Sequence, residues 1–348
     1  MAYLEKRKRK SGWRVRYRDP SGRMRSKSFA RKVEAERFAA SVETEKTQGI
    51  WTDPARGKVL LAEWAESWLK SKVDLRPTSR TRVESVVRTH VLTEFGTIPL
   101  NQLANSDVRR WVSSLTALGY SPATVRKSFN ALSQMMRAAV SDRRIAFNPC
   151  LDIPLPPERP FEQRFLTAGE VEVLADKIHI RFRALVLLAA YGGLRFGELA
   201  GLRRSRIDIL GGRVVVAETL VENDGHLMFG APKTKRSRRT VPLPRRVVSE
   251  LEEHLDRYVS AARDALVFTG PKGAPLRRSG FHRRWWVPAV NAIGADGLKF
   301  HELRHTFVAL WVAAGANAKE VSVRAGHSSV AYSRPLRTPL RGHGTRDS

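Results

Sequence analysis

The sequence predicts a mixed α+β, multidomain protein, and three observations carry that reading. The chain has 348 residues, comfortable for two or three domains. Strand-like alternation is confined to two regions, near 13–29 and 213–242, whereas the intervening stretches carry helical spacing. A segment with five prolines, NPCLDIPLPPERPFEQRF over 148–165, separates two regions rich in apolar residues and reads as a linker. The expected architecture is a small N-terminal β-sheet plus helix, an all-α domain, and a mainly α C-terminal domain with a small β-sheet.

The hydrophobic content of 42% is enough for real cores, but the charge is extreme. Sixty-two Lys and Arg face 34 Asp and Glu, for a net charge of +28. An excess of that size points to a polyanionic partner, most simply nucleic acid. The single cysteine, Cys150, excludes an intramolecular disulfide and a cysteine-based zinc site and fits a reducing cytoplasm. The opening MAYLEKRKRKSGW lacks the apolar core of a signal peptide. The longest apolar run, ALVLLAAY at 184–191, is too short to span a membrane.

Residues 1–58 open with GWRVRYRDPSGRMRSKSF. Trp13, Val15 and Tyr17 alternate with Arg14, Arg16 and Arg18, which predicts a half-buried strand with one cationic face suited to a DNA groove. DPSG reads as a turn, RMRSKSF as a second strand, and 31–46 as a helix with Val33, Phe38 and Val42 on its apolar stripe. Residues 59–148 read as four helices. Trp64 and Trp68 fall at core spacing, and Ser121 caps a helix that has Pro122 at its first position. Arg80, Arg82, Arg126 and Lys127 are candidates for a DNA-facing side. After the linker of 149–165, Thr167 and Glu170 form a capping box. RVVVAETLVENDGHLMF then reads as strand, turn, strand, and RRTVPLP as a further strand.

Three stretches carry chemistry. In AAYGGLRFGELAGLRRSRID a helix ends at Gly192-Gly193 and Arg195 opens the next, where backbone N–H groups and a guanidinium converge on an anion. In APKTKRSRRTVPLP a dense cationic turn joins two strands, and Lys233 or Lys235 could act as a general acid. In KFHELRHTFVALWVAAGANAKEVSVRAGHSS, His301 and Arg304 share a helix face, and His327 follows a glycine. His301 and His305 have the spacing of a zinc pair, but the surrounding arginines argue against a metal.

Taken together, GGLRFGELAGL, PKTKRSRRTVPLP, HELRHTF and AGHSS resemble, in order and spacing, the tyrosine recombinase or phage integrase family. The resemblance covers nearly the whole chain. It implies an arm-type DNA-binding segment (1–58) with Arg14, Arg16 and Arg18 on DNA, a core-DNA-binding domain (59–148) with Arg126 and Lys127 on DNA, and a catalytic domain (166–332). It implies that Arg195 and Arg304 clamp the scissile phosphate, that His301 and His327 bond its oxygens and assist proton transfer, and that Lys233 protonates the leaving 5′-oxygen. No metal or nucleotide cofactor is implied. The implied partners are double-stranded attachment sites, a homotetramer on DNA, and a DNA-bending or directionality factor. A type IB topoisomerase shares this chemistry without needing the basic N-terminal segment.

The same resemblance exposes a gap. Relatives with this box continue roughly VAYTLDRYGHL, with the nucleophilic tyrosine ten residues after the histidine; here that position is Arg337. Arginine is no nucleophile, and Tyr332 lies only five residues after His327. The codons of SRPLRTPL, read one base on, permit TLDRYGHL, so the tail over 333–348 reads as out-of-frame sequence. The chain is therefore expected to bind DNA but to cleave it poorly; the alternative is a non-catalytic integrase remnant. The gene sequence tests the frame shift: a tyrosine codon is expected across Leu336 and Arg337, and its absence refutes the idea.

Overall fold

The computed structural model describes residues 2–6, 11–19, 22–47, 56–158, 164–230 and 238–317. The chain divides into two compact units, 1–160 and 161–348.

The first unit begins with an antiparallel sheet of β1 (Tyr3–Lys6), β2 (Trp13–Arg18) and β3 (Met24–Phe29), followed by α1 (Lys32–Thr47). The expected alternation of β2 is met: Val15 and Tyr17 are buried with Ala35, Ala39 and Val42 of α1. On the opposite face Arg16 lies across from Tyr3 and Ser26, and Arg14 from Glu5 and Ser28. Arg16 pairs with Glu5 at 3.0 Å, and Arg18 donates to the Gly22 carbonyl at 3.1 Å. Strand β1 was not expected; four residues, YLEK, are too few to show a period. Val33 is also off the expected stripe, more than half exposed. The buried ridge is Ala35, Ala39 and Val42, at i, i+4 and i+7, whose small side chains let helix and sheet approach closely.

The helical region comprises α2 (Leu61–Ser71), α3 (Pro77–Val86), α4 (Thr93–Phe95), α5 (Asn105–Ala117) and α6 (Pro122–Ser141). A π turn over Val87–Leu92 runs α3 into α4, so the expected second helix is continuous with one widened turn. Trp64, Trp68 and Trp111 lie in the core, as spacing predicts for the first two, and Trp64 Nε1 donates to the Met135 carbonyl at 3.0 Å. Ser121 Oγ accepts from the Thr124 amide, with Pro122 at the first helical position.

The expected linker is bound to this core over its first part. Cys150 and Ile153 are buried within it, and Asn105 Nδ2 donates to the carbonyls of Pro149 and Leu151. Arg126 donates Nε and Nη2 to the Pro156 carbonyl at 3.2 and 2.9 Å, and also pairs with Glu158. Its guanidinium thus ties down the segment leaving the bundle. Lys127, next to it, is exposed.

The second unit contains α7 (Ala168–Lys177), α8 (Arg183–Gly192), α9 (Phe196–Ala200), β4 (Ile207–Asp208), β5 (Arg213–Val216), β6 (Thr219–Asn223), β7 (His226–Gly230) and β8 (Arg239–Pro242). It continues through α10 (Arg245–Tyr258), α11 (Arg278–Phe281), α12 (Val287–Asn291) and α13 (Glu302–Ala313). The capping box at Thr167 and Glu170 starts α7. Residues Ala184 to Ala190 are all buried, so α8 is a central helix, apolar on every side, with α7, α10 and α13 packed on it. No described helix is long and apolar enough to cross a membrane.

The sheet pairing differs from the expected simple hairpin. Strands β6 and β7 pair across Asp224 and Gly225, both with positive φ, as a tight two-residue turn requires. Strand β5 pairs instead with β4 and β8. The cationic stretch therefore joins β7 to β8, strands of two separate sheets. Lys233 and Lys235 lie in it, outside the described residues.

Trp64→Phe keeps most of the ring but orphans the buried Met135 carbonyl. It is expected to cost about 1–3 kcal/mol, read as a lower urea midpoint for the helical region of the full chain.

Candidate active site

The site is built at the junction of α8 and α9. Gly193 ends α8 in the left-handed region, φ 64°, ψ 27°, and its amide donates to the Ala189 carbonyl. A Cβ there would lie 2.6 Å from the Phe307 ring, so glycine is required both by φ and by the close approach of α13. After this turn Leu194 is buried and Arg195 stands at the N-cap of α9.

Glu198, three residues on, folds back on Arg195. Its Oε2 accepts from the Arg195 amide at 2.9 Å and its Oε1 from Arg195 Nη1 at 2.8 Å. Arg239 of β8 meets the same carboxylate from the other side, Nη1 to Oε1 at 3.1 Å and Nη2 to Oε2 at 2.9 Å. Burial pushes the Glu198 carboxyl up, but the hydrogen bonds and charges of Arg239 and Arg195 outweigh it and hold the group below its usual range. Glu198 is therefore an anion at neutral pH.

Arg304 of α13 is only 2% exposed, and its Nη1 donates to the Gly193 carbonyl at 2.6 Å. Burial, with the nearby positive charges of Arg195 and Arg239 and against the pull of Glu198, lowers its guanidinium to about 9. It remains a cation at neutral pH. His301 immediately precedes α13 and has an exposed outer edge. Desolvation of the ring, then the charges of His305, Arg304, Arg195 and Arg278, depress it to about 4. The His305 ring stands edge-on to it at 5.3 Å and is lowered too, by burial first and by Arg304, while Glu302 opposes.

The structure thus brings together three of the sequence-derived candidates, Arg195, His301 and Arg304. Lys233 and His327 lie outside the described residues, as do Tyr332 and Arg337. Arg14, Arg16 and Arg18 belong to the first unit, on the β2 face away from α1. Two participants went unnoticed in the sequence, Glu198 and Arg239. Glu198 had a local signal, an acid three residues after a helix-opening arginine; Arg239 had none, because only the pairing of β8 with β5 carries it to α9. The arrangement places three guanidiniums around one carboxylate and one carbonyl, with a neutral imidazole within electrostatic reach of Arg304 and Arg195. Such a set stabilises an anion whose charge increases during reaction.

Residues 164–334 match the model for the phage integrase family, and residues 60–116 match that for the phage integrase N-terminal SAM-like domain. The chain is 29% identical over 327 residues to the putative prophage phiRv2 integrase of Mycobacterium tuberculosis strain H37Rv, covering 91% of this chain and 86% of that protein. It is 29% identical over 298 residues to the integrase of Mycobacterium phage D29, covering 80% and 76%. Its fold is similar to that of the Tn1549 transposon integrase in complex with a circular intermediate DNA, with TM-score 0.67, 19% identity, and 78% and 92% of the two chains covered. It is also similar to a lambda integrase dimer bound to a COC′ core site, with TM-score 0.59, 18% identity, and 94% and 91% covered.

The depressed imidazole has a stability consequence. The fold holds His301 neutral, so between its unfolded value near 6.5 and its folded value of about 4 the unfolded chain binds more protons. The contribution from this group is present above pH 6.5 and is lost as pH falls toward 4. His301→Gln is expected to flatten part of the fall in denaturation midpoint across that window; a His301 ring that titrates near 6.5 by NMR overturns the assignment.

Proposed function

Because the chain belongs to the phage integrase family of tyrosine recombinases, we propose that it acts as a site-specific DNA recombinase of prophage type. The observation that carries the reading is the convergence of Arg195 and Arg304 beside Gly193. A phosphodiester is an anion, and its pentacoordinate state spreads further negative charge over the non-bridging oxygens. Fixed guanidiniums in a partly dry site stabilise that charge without reorganising. Arg304 is buried; Arg195, with 38% of its side chain exposed, is the partner a phosphate reaches first.

His301 is neutral at working pH and so has a ring nitrogen able to accept a proton or a hydrogen bond at the reacting phosphate. His327 shares that task. Lys233, with Lys235 as second candidate, protonates the leaving 5′-oxygen. In the family reaction a tyrosine hydroxyl attacks phosphorus, the bond to the 5′-oxygen breaks, and a 3′-phosphotyrosine keeps the bond energy for resealing. In this chain position 337 is arginine, and the family match ends at residue 334. The chain therefore binds its sites and cleaves them poorly.

The rest of the chain follows the same reading. Residues 1–58 bind arm-type DNA through the β2 face of Arg14, Arg16 and Arg18. Residues 59–148 hold core DNA, with Arg126 and Lys127 as contacts. Residues 166–332 form the catalytic domain. The assembly is a tetramer on double-stranded attachment sites in the cytoplasm, with a bending or directionality factor. The second reading, a DNA-binding remnant without catalysis, draws on Arg337.

Nicked suicide duplexes bearing the core sites that the full chain protects in footprinting separate these readings. Retention of DNA with no denaturant-resistant adduct is expected from the natural chain. Replacing residues 333–340 with TLDRYGHL is expected to produce the adduct. An adduct from the natural chain that is lost in Tyr332→Phe identifies Tyr332 as nucleophile and refutes the cleavage defect.

A further inference from the structure

Arg239 has no part in the mechanism above, although it is the most elaborately bonded guanidinium near the site. We propose that Arg239 is a positioning residue: it saturates the Glu198 carboxylate and so leaves Arg195 available to a phosphate. The inference deepens the recombinase reading and rests on Arg195 being a phosphate ligand.

Glu198 is 4% exposed, so water does little to solvate its charge. A buried carboxylate needs a full counter-charge and donors for both oxygens. Arg239 supplies both, meeting the two oxygens as a fork. Arg195 supplies one side-chain nitrogen, to Oε1, and its own amide to Oε2. Exposure separates the two arginines: 7% for the Arg239 side chain and 38% for that of Arg195. Arg239 is thus the inward counter-ion and Arg195 the outward one.

Removing Arg239 strips two charge-assisted hydrogen bonds from Glu198. Among the described residues, Arg195 is the other cation bonded to that carboxylate. The buried charge would then draw Arg195 inward to cover both oxygens, and its outward edge would be lost to the phosphate. Arg239 Nη2 also lies 3.5 Å from the Gly193 carbonyl, the acceptor of Arg304. The residue therefore braces the turn that both phosphate ligands share. Its own position is set by β8, where Arg239 pairs with Val216 of β5.

A role as mere packing makes a different prediction from a role as charge saturator. If Arg239 acts by saturating Glu198, neutralising Glu198 as well should release Arg195 again. The test uses the full chain with labelled arginine, inorganic sulfate as the probe, and the Arg195 Nε–Hε resonance, assigned through Arg195→Lys, as the readout. The natural chain is expected to give a saturable sulfate shift at Arg195. Arg239→Gln is expected to weaken sulfate binding about tenfold, the scale of a lost charge-assisted contact. Glu198→Gln combined with Arg239→Gln should recover binding to within about threefold of the natural chain, since a neutral amide attracts Arg195 only weakly. Should Arg239→Gln not fold, Arg239→Lys takes its place; it keeps the charge without the fork and is expected to lose about threefold. Binding unchanged in the single variant, or no better in the double variant than in the single, overturns the inference alone. A natural chain whose Arg195 ignores sulfate overturns the phosphate clamp, and this inference with it.

Discussion

One carboxylate organises the junction of α8, α9 and β8 in this protein. Glu198 is buried, charged and bonded to Arg195 and Arg239 at once. Without it, three guanidiniums in so small a volume would repel one another; the proton affinity of Arg304, lowered first by burial, is lowered further by Arg195 and Arg239 and raised by Glu198. With it, the cluster keeps a net positive charge but gains a fixed geometry. The pair is a specificity device more than a source of stability, since desolvation offsets much of the Coulomb attraction of a buried ion pair. What it supplies is a guanidinium held by its neighbours before any DNA arrives.

The scaffold under that cluster is the buried helix α8. Its apolar residues face other elements on all sides, so its C-terminal end is fixed relative to α7, α10 and α13. Gly193 then turns the chain sharply enough to present a carbonyl to Arg304 and an arginine to solvent. Phe307 packs where any side chain on Gly193 would go, which joins the turn to the helix that His301 precedes and that carries Arg304. The depressed imidazole follows from burial first and from the surrounding cations second: such a ring is held neutral, and a neutral ring can accept a proton.

The first unit shows how locally legible features coexist with others that are not. The alternation in β2, the core tryptophans and the Ser121 cap were readable because each rests on near neighbours in sequence. The strand β1 was too short to carry a period. The first part of the proline-rich segment looked like a free linker, yet Cys150 and Ile153 enter the helical core and Arg126 secures Pro156. Proline content reports an extended backbone; it is silent on whether that backbone lies against something.

By itself, the sequence determined the class of the fold and the basic character that calls for DNA, and it singled out Arg195, His301 and Arg304, which the structure brings near one another, because the order and spacing of short motifs survive without a structure. Only the tertiary structure decided that Arg195 and Arg239 share the Glu198 carboxylate. Arg239 lies 41 positions from Glu198 in the chain, and their contact exists because β8 pairs with β5 rather than with β7. Strand pairing is set by burial across the whole unit, and no local pattern in RRTVPLP encodes its partner.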